Sequence, residues 1–277
     1  MPAITRRRAR STWRSIACAV ACAVAVPLVT ACSTLTDTSS QIGRYAAVSI
    51  AARSSSADAA TGTATVIVFD AYTAIVPNST LERRETCRFL SFEGTTPDMR
   101  GQQRAGDAVG FQVGARNLSL EYDAVRMRYA LPSAGTFAYA KGDVATITIP
   151  GAAGGYPASN ISVKLAEPVV PGVIAVPAPG EPFSVRWNAV SDPTSLVIIS
   201  LRYGTGGAGS ALSEQLYCTA TDDGLFEIQA SSLFNFQSSP VATRSLSITR
   251  FRSNQSLIDP RTLIFVGSTA DSVIALR

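Results

Sequence analysis

The chain has 277 residues, of which 46% are hydrophobic and 16% are charged, and it contains no histidine. Without an imidazole it cannot build a Ser-His-Asp triad, a Cys-His pair or the usual histidine-bearing zinc sites. Its formal net charge of +4 would indicate an anionic partner such as nucleic acid. However, residues 1–31 carry five arginines and no acidic residue, so the remaining chain has 19 basic and 20 acidic residues. We therefore expect no nucleic-acid partner.

The amino-terminal segment has the order of parts typical of a secretory signal. Five arginines precede an apolar run of 11 residues, Ile16 to Val26, which is too short to span a bilayer. Thr30 and Ala31 are small residues of the kind that precede a cleavage site, and Cys32 follows them directly. With Val29 three positions before the cysteine, the segment resembles the lipobox of bacterial lipoproteins.

This resemblance implies that residues 1–31 are a signal peptide cleaved after Ala31, and that Cys32 carries lipid, including palmitate. It also implies that the residue after the cysteine, which is Ser33 and not an aspartate, favours transport to the outer membrane. We therefore expect a bacterial cell-envelope protein whose partner is the membrane, bound through the lipid on Cys32. The alternative is a soluble secreted protein in which Cys32 is incidental.

Two changes in composition divide the mature chain. Residues 32–60 are rich in Ser, Thr, Ala and Gln and predict a tether, with an ambiguous apolar patch at 45–50. Five prolines within 168–182 disfavour both helix and central strand. We predict a domain boundary there, between an N-terminal β domain at 61–167 and a C-terminal β-sandwich domain at 183–277. One large sandwich is the alternative.

Hydrophobicity alternates with period two along most of the body, which is typical of half-buried strands. Three strands near residues 109–131 are predicted to form a meander. Its first turn is Gly114-Ala115, because glycine in the first position suits a type II′ loop. A two-residue turn at Asp123-Ala124 would then set Glu121 opposite Arg126.

Further strands are predicted at 145–149, 161–165 and 183–187, and the best helical candidate is one or two turns at 231–236. The strand that ends at Trp187, followed by 197–201, resembles the core strands of immunoglobulin-like and fibronectin-like modules. The predicted fold is therefore all-β: an antiparallel β-sandwich with two immunoglobulin-like domains.

Two cysteines remain for the folded body once the signal peptide and the lipid are accounted for. In an oxidising compartment, Cys87 and Cys218 predict one disulfide, although two separately buried thiols are the alternative. A three-residue loop at Asp222-Asp223-Gly224 would pair Cys218 with Ile228 and point the cysteine inward. More broadly, residues 83–250 resemble uncharacterised all-β envelope lipoproteins with a cysteine strand, a Val-x-Trp strand and a Cys-x-x-x-Asp-Asp-Gly-x-Phe hairpin, a group that implies no activity.

A glycine-rich segment provides one possible cofactor motif. Gly204, Gly206 and Gly209 satisfy the pattern G-x-G-x-x-G after a predicted strand. A dinucleotide site needs a helix to follow, and only 210–215 separate these glycines from the next strand. We predict a hairpin loop and no cofactor.

Four carboxylates are candidate metal ligands or catalytic groups. Asp222 and Asp223 could bind calcium, and Glu121 with Asp123 could form an acid and base pair. None has a supporting ligand cluster in the sequence, so we predict no metal site and regard the two aspartates as turn formers.

The functional hypothesis is a lipid-anchored envelope protein with a structural or binding role and no enzymatic activity. Sandwich domains commonly bind through their end loops, so the candidate binding segments are Gly204 to Ser213, the Asp222-Asp223 turn and Asn254 to Thr262. The expected partner is an envelope protein or a glycan. The alternative hypothesis is a carboxylate-dependent carbohydrate-active enzyme of the envelope.

Overall fold

Strands dominate the computed structural model, which describes residues 43–70, 85–91, 101–190, 192, 194–204 and 214–276. The predicted signal peptide, its cleavage site at Ala31 and the lipidation site at Cys32 lie outside these residues. The all-β prediction is confirmed, while the immunoglobulin-like detail stays a prediction.

The first ten strands occupy the residues before the predicted proline-rich linker: β1 (Arg44–Ser54), β2 (Ala59–Asp70), β3 (Thr86–Ser91), β4 (Gln102–Gln103), β5 (Ala108–Val113), β6 (Arg116–Asp123), β7 (Arg128–Ala130), β8 (Phe137–Ala140), β9 (Val144–Ile149) and β10 (Ser159–Lys164). Six strands and a short helix follow it: β11 (Phe183–Arg186), β12 (Leu196–Tyr203), β13 (Glu214–Thr221), β14 (Leu225–Ile228), α1 (Phe234–Ser238), β15 (Ser245–Asp259) and β16 (Thr262–Ala275). The strands predicted at 145–149, 161–165 and 183–187 and the helical turn near 231–236 are therefore confirmed.

Fourteen of the strands form one sheet. Its main path runs β10-β9-β5-β6-β7-β2-β1-β16-β15-β12-β13-β3, and β4 and β8 also pair with β2. A second sheet contains β11 and β14. Among the described pairs, β1 and β16 are parallel, and the others are antiparallel.

Two hydrophobic cores support this sheet. The first is built by side chains of β1, β2 and β5 to β10, together with Ile264 and Val266 of β16. The second lies between the sheet of β11 and β14 and the strands β12, β13 and β15. The change from one core to the other falls between Leu165 and Val169, next to the predicted linker.

Strands nevertheless cross that division. β3 comes from the predicted N-terminal domain but pairs with β13, and β16 contributes to the first core although it ends the chain. Both cores belong to one compact unit of the described chain. The division into two domains therefore stays a prediction.

The central strand β1 lies where the composition predicted a tether. Residues 44–60, assigned to that tether, instead form β1 and the beginning of β2. Alternate residues of β1 are buried, among them Ala46, Val48, Ile50 and Ala52. Half of these side chains are only methyl groups, so the apolar alternation is weak in the sequence. The composition of the segment therefore resembles that of a flexible tether.

The first predicted turn of the meander is confirmed. Val113 pairs with Arg116 and Phe111 with Leu118, which leaves Gly114 and Ala115 in the loop. Gly114 has a φ of 57°, a value that glycine adopts without steric cost.

The second predicted turn is wrong. Tyr122 pairs with Tyr129 and Asp123 with Arg128, so four residues connect β6 and β7 instead of two. The carboxylate of Asp123 accepts hydrogen bonds from the backbone N–H groups of Val125 and Arg126, which stabilises the longer loop. As a result Arg126 forms its ion pair with Asp123 and not with Glu121.

The predicted hairpin between β13 and β14 is also wrong. Cys218 pairs with Ile199 of β12 and Cys87 of β3, whereas Ile228 pairs with Phe183 of the second sheet. The chain crosses from one sheet to the other at residues 222–224, and the apolar faces of both strands meet in the second core. The predicted inward direction of Cys218 is confirmed, because this residue is fully buried.

The predicted disulfide is present. Cys87 and Cys218 lie directly opposite each other on β3 and β13, and their sulfur atoms are bonded. It joins positions 131 residues apart in the sequence. The edge strand β3 is thereby covalently attached to the second core.

Candidate functional site

A cleft of about 830 Å³ opens at the boundary between the two cores. One side is formed by residues that follow β8 and end β10, and the other by the segments near 189–192 and 222–223. Its lining residues are Lys141, Lys164, Glu167, Ala189, Val190, Asp192, Asp222 and Asp223. Two of the predicted candidates, Asp222 and Asp223, therefore belong to a cleft that also contains residues distant in sequence.

Behind this cleft, Arg250 and Asp222 form a fully buried ion pair. Arg250 Nε donates to Asp222 Oδ2 at 2.6 Å, and Nη2 donates to Oδ1 at 3.0 Å. The same carboxylate accepts hydrogen bonds from Trp187 Nε1 at 2.8 Å and from Ser195 Oγ at 2.6 Å. Asp222 is thus a buried acceptor with both oxygens engaged, and the interpretation of this residue as a simple turn former is corrected.

The remaining donors of Arg250 bind backbone carbonyls at the boundary. Nη1 donates to the carbonyl oxygens of Glu167 at 3.0 Å and Pro168 at 2.7 Å, and Nη2 donates to that of Asn188. All five N–H groups of the guanidinium therefore have acceptors. This arginine ties β15 to the segment that connects the cores.

Glu167 is a buried carboxylate, only 5% exposed, surrounded by cations. Its Oε1 lies 3.2 Å from Lys164 Nζ and 3.4 Å from Arg252 Nη2, and its Oε2 lies 3.5 Å from Lys141 Nζ. Oε2 accepts no hydrogen bond from the protein. These are the two lysines of the chain, since its other 22 basic residues are arginines.

Asp192 completes the group of charges. It lies 2.5 Å from Arg252 Nη1 and 3.5 Å from Lys164 Nζ. Hydrogen bonds from the hydroxyl and backbone N–H of Thr194, with help from Arg252, lower the pKa of Asp192 to about 2. The carboxylate therefore remains ionised across the physiological range.

The accessible groups of the cleft have both signs of charge. The side chains of Lys141 and Lys164 are 51% and 45% exposed, and Asp223 is exposed at the rim. Each ammonium has three N–H donors, so both can bind a ligand while keeping Glu167. The cleft can thus donate hydrogen bonds from two cations and accept them at the exposed carboxylate of Asp223.

Sequence reasoning missed Lys141, Lys164, Glu167 and both buried arginines. A signal for the arginines exists, because Arg250 and Arg252 have the same parity along β15 as the buried residues Leu246 and Ile248. Two arginines on an inward face require buried partners. No local pattern pointed to Asp222 or Glu167 as those partners.

Comparisons with protein-family models, curated protein sequences and solved structures find no match to this chain.

The other two candidate carboxylates line a different cleft of about 440 Å³. It is formed by Glu121, Tyr122, Asp123, Arg126, Arg128, Ala130, Leu131, Pro132 and Ser133. Hydrogen bonds from the Arg126 side chain and backbone lower the pKa of Asp123. The four carboxylates considered in the sequence therefore form two pairs, each in its own cleft.

The remaining predicted binding segments have different outcomes. Gly204 directly follows β12 and has a φ of 115°, while Gly206 and Gly209 lie outside the described residues. The segment from Asn254 to Thr262 is not an end loop, because it belongs to β15, a tight turn and the first residue of β16. Asn254 instead donates to the carbonyl oxygen of Ser162, which holds β10 against β15.

The described residues lack a cluster of metal ligands and a helix long and apolar enough to span a membrane. In these parts of the chain, no group of three or more histidine, cysteine, aspartate or glutamate side chains is arranged to hold a metal ion. The helices found there are too short or too polar to cross a membrane.

Proposed function

We propose that this protein is a lipoprotein of the bacterial cell envelope, anchored in the outer membrane through lipid on Cys32, with a binding role. The sequence from Thr30 to Cys32 and the signal-like segment before it support the anchor. The disulfide between Cys87 and Cys218 supports an oxidising compartment. The body is then held at a membrane surface, where a polymer or a second envelope protein is its natural partner.

The observation that carries the binding role is the convergence of both lysines of the chain on the buried Glu167. Boundaries between cores and domains are common places for ligands. A ligand that suits this cleft offers a hydrogen-bond donor to Asp223 and acceptors to the ammonium groups of Lys141 and Lys164. Hydroxyl and amide groups of a glycan or a peptide meet both requirements.

The charges favour binding over carboxylate-dependent hydrolysis. A general acid needs a raised pKa to be protonated near neutral pH, whereas Asp123 and Asp192 have lowered pKa values. Asp222 has both oxygens occupied by Arg250, Trp187 and Ser195. We therefore keep the carbohydrate-active enzyme as the second hypothesis.

The anchor is tested by replacing Cys32 with serine in the full chain, expressed in a Gram-negative host with alkyne-labelled palmitate. We expect the unaltered protein to incorporate label and to lose residues 1–31, and the Cys32→Ser protein to incorporate none and to retain them. Mass spectrometry of the amino-terminal peptide gives both results. A matched control replaces Cys18 and Cys22 with serine and leaves labelling unchanged, and an unlabelled native protein contradicts the anchor.

The binding site is tested on the detergent-solubilised full-length protein with soluble peptidoglycan fragments as the probe. Reductive methylation with ¹³C-formaldehyde labels the two lysines, and single Lys→Arg variants assign their signals. We expect both signals to shift on addition of the fragments. Lys141→Ala and Lys164→Ala should each weaken binding by at least about tenfold, because each removes a charged hydrogen-bond donor.

The matched control for the cleft is Arg53→Ala, which removes a cation that is 73% exposed and pairs with Asp271 at 3.7 Å, apart from the cleft. Its binding should equal that of the native protein. If both lysine variants bind as tightly as the native protein, the ligand occupies another surface. If neither peptidoglycan fragments nor neutral oligosaccharides bind, the glycan-binding role is wrong.

A further inference from the structure

The second cleft contains an arginine whose charge has no partner in the described part of the chain. Arg128 lies on β7, and its Nε is buried without a hydrogen-bond acceptor. No ion pair to Arg128 is found among the described residues. A buried N–H of a charged group that has no acceptor is destabilising, and its presence calls for an explanation.

The carboxylate opposite Arg128 in the sheet does not supply that acceptor. Asp123 lies directly opposite Arg128 in the pairing of β6 with β7. Its Oδ1 accepts from the N–H groups of Val125 and Arg126, both at 3.0 Å, and its Oδ2 accepts from Arg126 Nη1 at 2.8 Å. The ion pair of Asp123 with Arg126 is neutral as a unit, so the charges of this cleft that lack an ion pair to a described residue are Arg128 and the exposed Glu121.

The backbone on both sides of Arg128 has an unfavourable conformation. Met127 has a φ of 48° and Ser133 has a φ of 54°, and they are two of the three non-glycine residues with positive φ in the described chain. Such residues are retained only where the surroundings enforce them, and they occur preferentially at functional sites. Met127 lies directly before β7, and Ser133 follows β7 and lines the cleft.

The walls of the cleft indicate the class of ligand. The guanidinium edge matches the two oxygens of a carboxylate, which it can bind through two parallel hydrogen bonds. Leu131 and Pro132 provide apolar surface beside it, and the exposed Glu121 can accept hydrogen bonds at the rim. A volume of about 440 Å³ accommodates a molecule larger than a simple ion.

We propose that this cleft binds a small hydroxylated organic carboxylate, such as a sugar acid. The carboxylate of the ligand binds the guanidinium of Arg128, which lines the cleft, and the ring of the ligand packs on Leu131 and Pro132. One or more hydroxyl groups of the ligand donate to Glu121. This site is separate from the cleft of Lys141 and Lys164 and does not depend on the function proposed for that cleft.

The test is calorimetric titration of the full-length, detergent-solubilised protein with glucuronate. Glucose is the neutral match, and inorganic phosphate is the small oxyanion. We expect glucuronate to bind and glucose to bind at least tenfold more weakly. Arg128→Lys, which keeps the charge but loses the fork, should weaken glucuronate binding at least tenfold, and Arg128→Met should abolish it.

Two further variants give the site its controls. Arg116→Lys changes an exposed arginine on β6, outside the cleft, and should leave binding unchanged. Glu121→Gln should weaken glucuronate severalfold but leave phosphate unaffected. Equal binding of glucose and glucuronate, phosphate binding as tight as glucuronate, or native affinity in a folded Arg128→Lys protein would each overturn the proposal. Circular dichroism of each variant establishes that it is folded.

Discussion

Replacing Asp222 with asparagine is expected to lower the free energy of unfolding by about 3–5 kcal/mol, the range for removing one partner of a buried ion pair. The substitution keeps the shape of the side chain but leaves the charge of Arg250 buried and unpaired, in a residue with 0% exposure. Trp187 Nε1 and Ser195 Oγ must also share a poorer acceptor. Denaturant unfolding monitored by tryptophan fluorescence measures the loss.

Two comparison variants separate this effect from general damage. Arg53→Met removes one partner of an ion pair that is largely exposed on the arginine side, and should change stability little. The double variant Asp222→Asn with Arg250→Met removes both buried charges and should recover part of the loss. If Asp222→Asn is no more destabilising than Arg53→Met, then the buried pair does not hold the two cores together.

Removing the disulfide is expected to have an effect of similar size by a different route. In the chain-entropy model, a crosslink between positions 131 residues apart contributes about 5 kcal/mol by restricting the unfolded chain. The variant Cys87→Ala breaks the crosslink and leaves the fully buried Cys218 in place, which limits damage to the second core. Its midpoint of denaturation should fall well below that of the oxidised native protein.

The reductant provides the control for the disulfide. Dithiothreitol should lower the midpoint of the native protein to about that of Cys87→Ala, and should leave the midpoint of the variant unchanged. Thiol titration under denaturing conditions establishes that reduction is complete. A fully reduced native protein with an unaltered midpoint would contradict a stabilising crosslink.

The sequence predicted those elements that depend on neighbouring residues. The turn at Gly114 is local, because a glycine with positive φ and alternating strands on either side determine the register. The prediction of the next turn was wrong because the side chain of Asp123 stabilises a longer loop. It does so by accepting hydrogen bonds from the backbone N–H groups of Val125 and Arg126. The alternation of apolar and polar residues gives no information about such a side-chain hydrogen bond.

Pairings between strands that are distant in the sequence could not be predicted in the same way. The residues of β13 and β14 suit a hairpin, yet their best partners are β3, β12 and β11. Both arrangements direct the apolar faces of these strands inward, so hydrophobic pattern alone does not select between them. The choice depends on the complete sheet.

The candidate site was predicted in part for a related reason. The Asp222-Asp223 turn is one of the predicted binding segments. The neighbouring residues indicate only a turn-forming role for Asp222, because its partner Arg250 lies 28 residues later. The cleft is assembled from segments that meet only when both cores have formed. Its lysines carried no motif, and their rarity in the chain was the one available signal.

The parallel pairing of β1 with β16 has a consequence for the order in which the protein folds. It joins the first described strand to the last one, so that Arg44 lies beside Thr262 in the centre of the sheet. Contacts between residues this far apart in sequence close long loops, and proteins rich in such contacts fold slowly. During synthesis β1 can pair with β2 early, but its pairing with β16 cannot form until β16 has been made. Closing the centre of the sheet therefore depends on a strand at the other end of the described chain.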